Sequence, residues 1–240
     1  MSNLLVNVRD QHFVLFEQLQ MEKLFEREKF SAYTKEDATM MLNEAEKMAV
    51  NVLLPTNVDG DREGCTLKDG QVFVPKSFHE AYKKFVEAGW QCPTRSPEVG
   101  GQGMPNTLGE ACMEFFQAAN YPFVMYPMLT NGAAALIDVF GTEEQKKKYM
   151  YKMFSGEWGG TMCLTEPGAG SDVGALKTTA KKLADGTYSI SGTKCFISSG
   201  DHDLVSNIVH PVLARIEGDP QGTAGISIFI VPKYLSLIHI

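Results

Sequence analysis

The sequence predicts a chain in two parts, an all-α helical domain over residues 1–158 followed by a β-domain over residues 159–240. Three observations predict it. Up to about residue 158 the apolar residues recur at steps of three and four, the period of an amphipathic helix. From Gly159 the pattern shortens to alternation in short runs separated by turn residues, the pattern of a sheet or barrel. The charge divides at the same place: residues 161–240 hold six basic and seven acidic groups, so the helical part carries −6 of the net −7.

In the helical part, Lys35 to Leu53 places Ala38, Met41, Leu42, Ala45, Met48, Ala49 and Val52 on one face. Thr34 with Asp37 predicts its N-cap, and Pro55 predicts its end. A second helix is expected from Ser77, as cap, to Ala88, stopped by Gly89. Thr107 to Asn120 reads as a third, ending at Tyr121-Pro122, and Met128 to Phe140 as a fourth. Gly141-Thr142 caps a fifth that begins with Glu143 and Glu144 and carries Lys146, Lys147, Lys148 and Lys152 later, the order its dipole prefers. Those lysines read as a solvated face.

In the β part, Asp185-Gly186 marks a hairpin turn before the alternating run around Tyr188 and Ile190. Lys194 to Ser198, Leu204 to Ile216 and Gly225 to Val231 are further β-rich runs, with turns at Ser199-Gly200-Asp201 and Glu217-Gly218-Asp219-Pro220.

Composition narrows the function. Apolar residues make up 44% of the chain, enough for a core and above the range of disordered segments. An acidic chain without a basic block does not suit a nucleic-acid backbone. No run approaches 18 consecutive apolar residues, so no membrane-spanning helix is expected. The start lacks the charged and apolar regions of a secretory signal, and no Arg-rich transit peptide is present. The cysteines, at 65, 92, 112, 163 and 195, form no C-x-x-C pair; reduced thiols in a cytoplasmic protein are expected, with no metal site. Asp201-His202-Asp203 reads as a turn with a solvated or locally hydrogen-bonded histidine.

The chemistry concentrates in Thr161-Met-Cys-Leu-Thr-Glu-Pro-Gly-Ala-Gly-Ser-Asp-Val-Gly174, a short strand running into a glycine-rich loop. Gly168 and Gly170 let backbone N–H groups approach an anion or the polar edge of a heterocycle, and Ser171 adds a hydroxyl. The spacing matches neither G-x-G-x-x-G, nor the P-loop, nor a G-x-S-x-G nucleophile elbow.

Thr165-Glu-Pro-Gly-Ala-Gly-Ser-Asp172, followed by Gly192-Thr-Lys-Cys-Phe-Ile-Ser-Ser-Gly200, resembles the signature of the acyl-CoA dehydrogenase family. Pro97 to Pro105, Phe140 to Tyr149 and Gly225 to Pro232 extend the resemblance over nearly the whole chain. Phe13 to Phe16, Asp61 to Gly64 and Gly200 to Leu204 are most similar to the family's 3-methylmercaptopropionyl-CoA dehydrogenase-like branch.

The resemblance implies an N-terminal helical domain, a β-barrel-like middle domain that is incomplete here, and a C-terminal helical bundle absent from these residues. It also implies fatty acid metabolism: desaturation of an acyl-CoA to the trans-2-enoyl-CoA, FAD accepting the electrons and an electron-transfer flavoprotein reoxidising it, in a homo-oligomer. Met162, Cys163, Leu164 and Thr165 correspond to the strand that hydrogen-bonds the flavin's pyrimidine edge. Gly170 and Ser171 correspond to the loop where flavin and CoA meet, Ser171 also touching substrate. Phe196, Ile197 and Ser198 correspond to the strand against the isoalloxazine. Phe196 replaces a frequent tryptophan and Ser198 a frequent threonine, each keeping the aromatic face or the hydroxyl. Glu166 is assigned a structural role, and no catalytic base is found; the family's base is expected beyond residue 240. Leu235 to Ile240 reads as a foreign or truncated end. An acyl-CoA oxidase-type flavoenzyme and a non-catalytic flavin- or acyl-CoA-binding scaffold remain as alternatives.

Overall fold

The computed structural model describes residues 5–235, so most of the stretch Leu235–Ile240 lies outside the described residues. The chain divides into two compact units, the first comprising Met1–Met128 with Phe154–Gly156 and His202–Leu204, the second Leu129–Met153, Glu157–Asp201 and Val205–Ile240.

The first unit is helical. After α1 (Val8–His12) and α2 (Glu22–Phe25), α3 (Lys35–Met48) starts at a reciprocal cap: Asp37 N–H donates to Thr34 Oγ1 at 3.1 Å and Thr34 N–H to Asp37 Oδ2 at 2.9 Å. The predicted stop at Pro55 is corrected. A π-turn over Ala49–Leu53, closed by Leu54 N–H on Ala49 O, carries the helix into α4 (Leu54–Glu63), and the chain stays helical through Pro55, the second residue of α4. A small hairpin of β1 (Thr66–Lys68) and β2 (Gln71–Phe73) precedes α5 (Lys76–Glu87).

Ser77 is not the cap of α5. It lies inside the first turn, and Pro75 occupies the cap position without a side-chain bond. Gly89, at φ +78°, does end the helix: Trp90 N–H reaches Phe85 O and Gly89 N–H reaches Val86 O, the two bonds of a Schellman motif. Phe85 and Trp90 are both buried, and each sets a ring edge against Phe116, at 5.2 and 5.0 Å between centroids. Phe78 and Phe123 extend this aromatic core.

The third and fourth expected helices are one run, α6 (Asn106–Phe140), broken by a single non-helical residue, Asn120 at φ −159° and ψ 84°. Asn120 Oδ1 caps the restarted helix by accepting Phe123 N–H at 3.0 Å, and its amide donates to Thr56 Oγ1 at 2.9 Å. Helix therefore resumes at Tyr121 rather than Met128, with Pro122 in its first turn. By length and composition α6 is able to cross a membrane, although no run of 18 consecutive apolar residues exists. Its first half instead carries the buried Leu108, Phe115, Phe116 and Phe123 of the aromatic core. Of the two readings of His202, solvated or locally hydrogen-bonded, the solvated one is corrected. The residue is buried with its ring edge-on to Tyr126 at 4.8 Å, while Asp203 accepts Val74 N–H and pairs with His79 at 3.1 Å.

The second unit opens with the last part of α6. Thr142 and Gln145 form a reciprocal cap for α7 (Glu143–Gln145), which continues through a π-turn into α8 (Tyr151–Phe154). Lys147 and Lys148 are exposed, as a solvated face requires.

The sheet is organised on β6 (Ile208–Ile216). One edge pairs antiparallel with β7 (Ile226–Pro232) from Val209↔Pro232 to Arg215↔Ile226. The other edge takes β3 (Gly159–Gly160) near its start and β4 (Thr179–Lys182) near its end, both parallel. β5 (Tyr188–Ser191) follows β4 through the predicted turn, with Gly186 at φ +86°. Laid flat, β5 and β7 would stand about 14 Å apart at roughly 4.8 Å per strand. The Tyr188 and Phe229 rings nevertheless lie 5.1 Å apart, so the sheet curls as a barrel wall does.

Candidate functional site

All residues of the candidate site belong to the second unit. Residues 161–165 run beside β6 and use alternate backbone groups to pair with it. Thr161 N–H donates to Val209 O at 3.1 Å and Cys163 N–H to Pro211 O at 2.9 Å, while Cys163 O accepts Leu213 N–H. The alternation of an extended chain turns the N–H groups of Met162 and Leu164 to the opposite edge. There they meet no acceptor among the described residues; the N–H of Thr165, which the same alternation turns to the β6 side, meets none either. Cys163 thus spends its backbone on the sheet, and burial pushes its thiol pKa up against the opposing effects of Thr161 and Lys194. Met162 and Leu164 form a short row of available donors on that edge, and Thr165 N–H is a further available donor where the run ends.

The loop that follows is pinned at its start. Glu166 and Ala169 exchange backbone hydrogen bonds of 3.0 and 3.1 Å. Beyond this, Gly168, Gly170, Ser171 and Asp172 are exposed. An added Cβ at Gly168 or Gly170 would meet nothing within 4 Å, and neither has a positive φ. Nothing inside the chain demands glycine at either position, whereas close approach by an outside group would.

Glu166, buried, accepts four hydrogen bonds: Lys177 N–H at 2.7 Å, Thr178 N–H at 3.0 Å, Thr178 Oγ1 at 2.5 Å and Lys194 Nζ at 2.8 Å. Burial opposes its ionisation, but the Lys194 ammonium and the other donors outweigh that and hold its pKa at about 2. Lys194 Nζ also donates to Leu164 O at 3.0 Å, and Cys195 N–H to Thr165 O at the same distance. Gly192 sits so close to Thr178 that a Cβ there would fall 2.2 Å from Thr178 Oγ1.

The expected strand over Lys194–Ser198 is corrected: this stretch is irregular. Phe196 at φ +57° and Ser199 at φ +55° take the left-handed conformation, which breaks extended geometry on either side of Ile197. Phe196 is 92% exposed, Ser198 is exposed and Ile197 half-buried. A solvent-facing aromatic in a strained backbone is costly to fold for its own sake. The structure therefore brings Thr165 and the segment from Cys195 together through a direct bond, and leaves Gly170 and Ser171 on an exposed loop tip. Sequence reasoning missed Lys194, Thr178 and Lys177. The available signal was a lone lysine inside a β-like run beside a buried carboxylate, because a buried lysine requires a partner. Among the described residues no group of His, Cys, Asp and Glu is placed to hold a metal ion.

A helical unit followed by a curled β unit, with a row of backbone donors beside a glycine-rich loop, defines the class: a two-domain chain of α-then-β architecture. Residues 35–157 match the acyl-CoA dehydrogenase N-terminal domain and residues 161–239 the acyl-CoA dehydrogenase middle domain. The chain belongs to the acyl-CoA dehydrogenase family. It is 41% identical over 229 residues to 3-methylmercaptopropionyl-CoA dehydrogenase of Ruegeria pomeroyi, covering 95% of this chain and 39% of that protein. It is 42% identical over 238 residues to a broad-specificity linear acyl-CoA dehydrogenase of Mycobacterium tuberculosis, covering 98% and 39%. Among solved structures, a Bacillus anthracis acyl-CoA dehydrogenase complexed with FAD superposes with a TM-score of 0.66 at 31% identity, covering 84% of this chain and 32% of that one. The chain thus spans 39% of the length of the two curated relatives.

Proposed function

We propose that these residues form the flavin-facing part of an FAD-dependent acyl-CoA dehydrogenase, a whole enzyme that desaturates an acyl-CoA thioester and passes its electrons to an electron-transfer flavoprotein. The observation that carries the reading is the pair of outward N–H groups at Met162 and Leu164, with the unused N–H of Thr165 at the end of the same run. The chemistry of this donor set fits the group, since backbone N–H donors suit the carbonyl and nitrogen acceptors of a flavin's pyrimidine edge and stabilise negative charge there. Phe196 offers an exposed aromatic face one residue from the Cys195–Thr165 bond, and Ser198 an exposed hydroxyl. Gly170 and Ser171 present an open, donor-bearing loop suited to the polar junction of cofactor and thioester. When bound, FAD supplies a two-electron acceptor for the desaturation.

The residues here bind and orient. Glu166 is excluded as proton acceptor because four donors occupy its oxygens and its basicity is too low at neutral pH. We assign no base to this chain, place the compartment in the cytoplasm on the strength of five free cysteines, and expect a homo-oligomer for the whole enzyme.

The test is a titration of FAD into the purified chain, followed by anaerobic addition of acyl-CoA with an artificial electron acceptor. The expected result is saturable flavin binding that is lost on gel filtration, without turnover. No binding at any FAD concentration overturns the flavin reading and favours a scaffold; sustained turnover overturns the assignment of no base.

A further inference from the structure

We infer that Glu166 and Lys194 are positioning residues that lock the 194–198 segment to the 161–166 strand, so that the backbone donors at Met162, Leu164 and Thr165 and the Phe196 ring are presented together. This rests on the flavin reading above. The geometry is that of a staple with one ammonium at its centre. Lys194 Nζ bonds Leu164 O at 3.0 Å and Glu166 Oε1 at 2.8 Å, gripping the strand on both sides of Thr165. Cys195 N–H closes the same junction on Thr165 O. Glu166 is fixed in turn by Lys177 and Thr178, which lead into β4.

Two features say that the segment needs such a staple. Cys195 N–H to Thr165 O is its sole backbone bond to the strand, and no ladder holds residues 194–198. Its Phe196 side chain, 92% exposed at φ +57°, contributes almost nothing by packing and resists by strain. With one backbone bond, the ion pair is the principal restraint on where the ring stands. The pair is also sheltered, the side chains of Lys194 and Glu166 being 11% and 6% exposed, so solvent does little to weaken it.

The variant to test is Lys194→Met, which keeps the apolar stem and leaves Glu166 with three remaining donors. Lys194→Arg serves as the conservative control. Hydrogen exchange of the purified 240-residue chain, read on peptides spanning 193–200 and 208–216, reports the staple without any ligand; FAD titration reports its consequence. For Lys194→Met, exchange in 193–200 is expected to rise roughly tenfold or more, while β6 changes less than about twofold. FAD affinity is expected to fall roughly tenfold, and Lys194→Arg to recover most of both effects.

Unchanged exchange in 193–200 overturns the inference. So does loss of protection throughout, β6 included, because the pair would then support the unit at large rather than the segment. If the wild-type chain binds no FAD, the flavin reading falls and takes the positioning role with it. If the wild type binds and Lys194→Met binds equally well, the positioning role alone falls.

Discussion

Replacing Glu166 by glutamine should remove a pH dependence that the wild-type chain displays in mild acid. The Glu166 pKa stands at about 2 in the fold against an ordinary 4.5. A carboxyl whose folded pKa is depressed stabilises the fold above the unfolded value, and that contribution disappears as pH falls through the folded one. At about 1.4 kcal/mol per unit, the gap is on the order of 3 kcal/mol, fully present above about pH 5 and fading toward pH 2. Glutamine keeps an oxygen to accept from Thr178 but loses the charge facing Lys194, so the variant should be less stable at pH 7 by a similar amount. Its stability should then stay flatter between pH 5 and pH 3. The assay is urea unfolding at a series of pH values, followed by tryptophan fluorescence, with the buried Trp158 reporting on the second unit. Parallel loss of stability in wild type and Glu166→Gln across that window would refute the assignment of the charge to this pair.

Three further substitutions separate scaffold from surface. Gly192→Ala forces a Cβ to within 2.2 Å of Thr178 Oγ1 and 2.8 Å of Thr178 Cα and should cost about 1–3 kcal/mol in chemical denaturation, a loss that Thr178→Ala should not recover because the Cβ and backbone contacts remain. Asn120→Ala removes the cap on Phe123 N–H and the donor to Thr56 Oγ1, which keeps its own bond to Leu53 O, so thermal melting should reveal a loss of about 1–2 kcal/mol. Phe196→Ala touches almost nothing in the fold and should leave stability within about 0.5 kcal/mol, while FAD titration shows weakened binding; equal affinity would count against an aromatic contact.

Much of the helical unit was legible because its signals are local. Thr34 with Asp37, Thr142 with Gln145, and Gly89 after α5 each close a hydrogen bond within a few residues. The misreadings arise from a local adjustment of the helix in some places and from a distant partner in others, neither of which sequence spacing carries. Pro55 failed to stop a helix because the preceding π-turn moved it to a first-turn position. Asn120 rather than Tyr121-Pro122 makes the break, held by Thr56 some 60 residues away. In the candidate site, the strand of donors and the glycine-rich loop stood out by residue type and spacing. The path of residues 194–198 did not: Cys195, Phe196 and Ile197 look like an apolar strand, and only the left-handed Phe196 and Ser199 show otherwise. Lys194 was visible as a letter in a motif, but its partners lie 28 and 30 residues away.

The same pair bears on how the reaction can be divided. A general base needs a free lone pair within reach of the substrate proton and a pKa near the working pH. Glu166 lies in the centre of the signature, next to Thr165, and for that reason invites the role. Four donors and a pKa of about 2 give it neither property. What they give it is permanence of charge, and that fixed anion, with Leu164 O, holds the Lys194 ammonium within the chain. A lysine free to reorient would bind an anionic cofactor or thioester by charge alone, at the cost of geometry. Held between Leu164 O and Glu166, Lys194 has its ammonium committed within the chain, which under the proposed flavin reading leaves recognition to backbone N–H groups such as those of Met162 and Leu164, whose directions the strand sets. Proton abstraction under the proposed reading therefore needs a base other than Glu166, and Glu166→Gln should alter flavin affinity and acid stability without shifting the pH profile of proton removal in the whole enzyme.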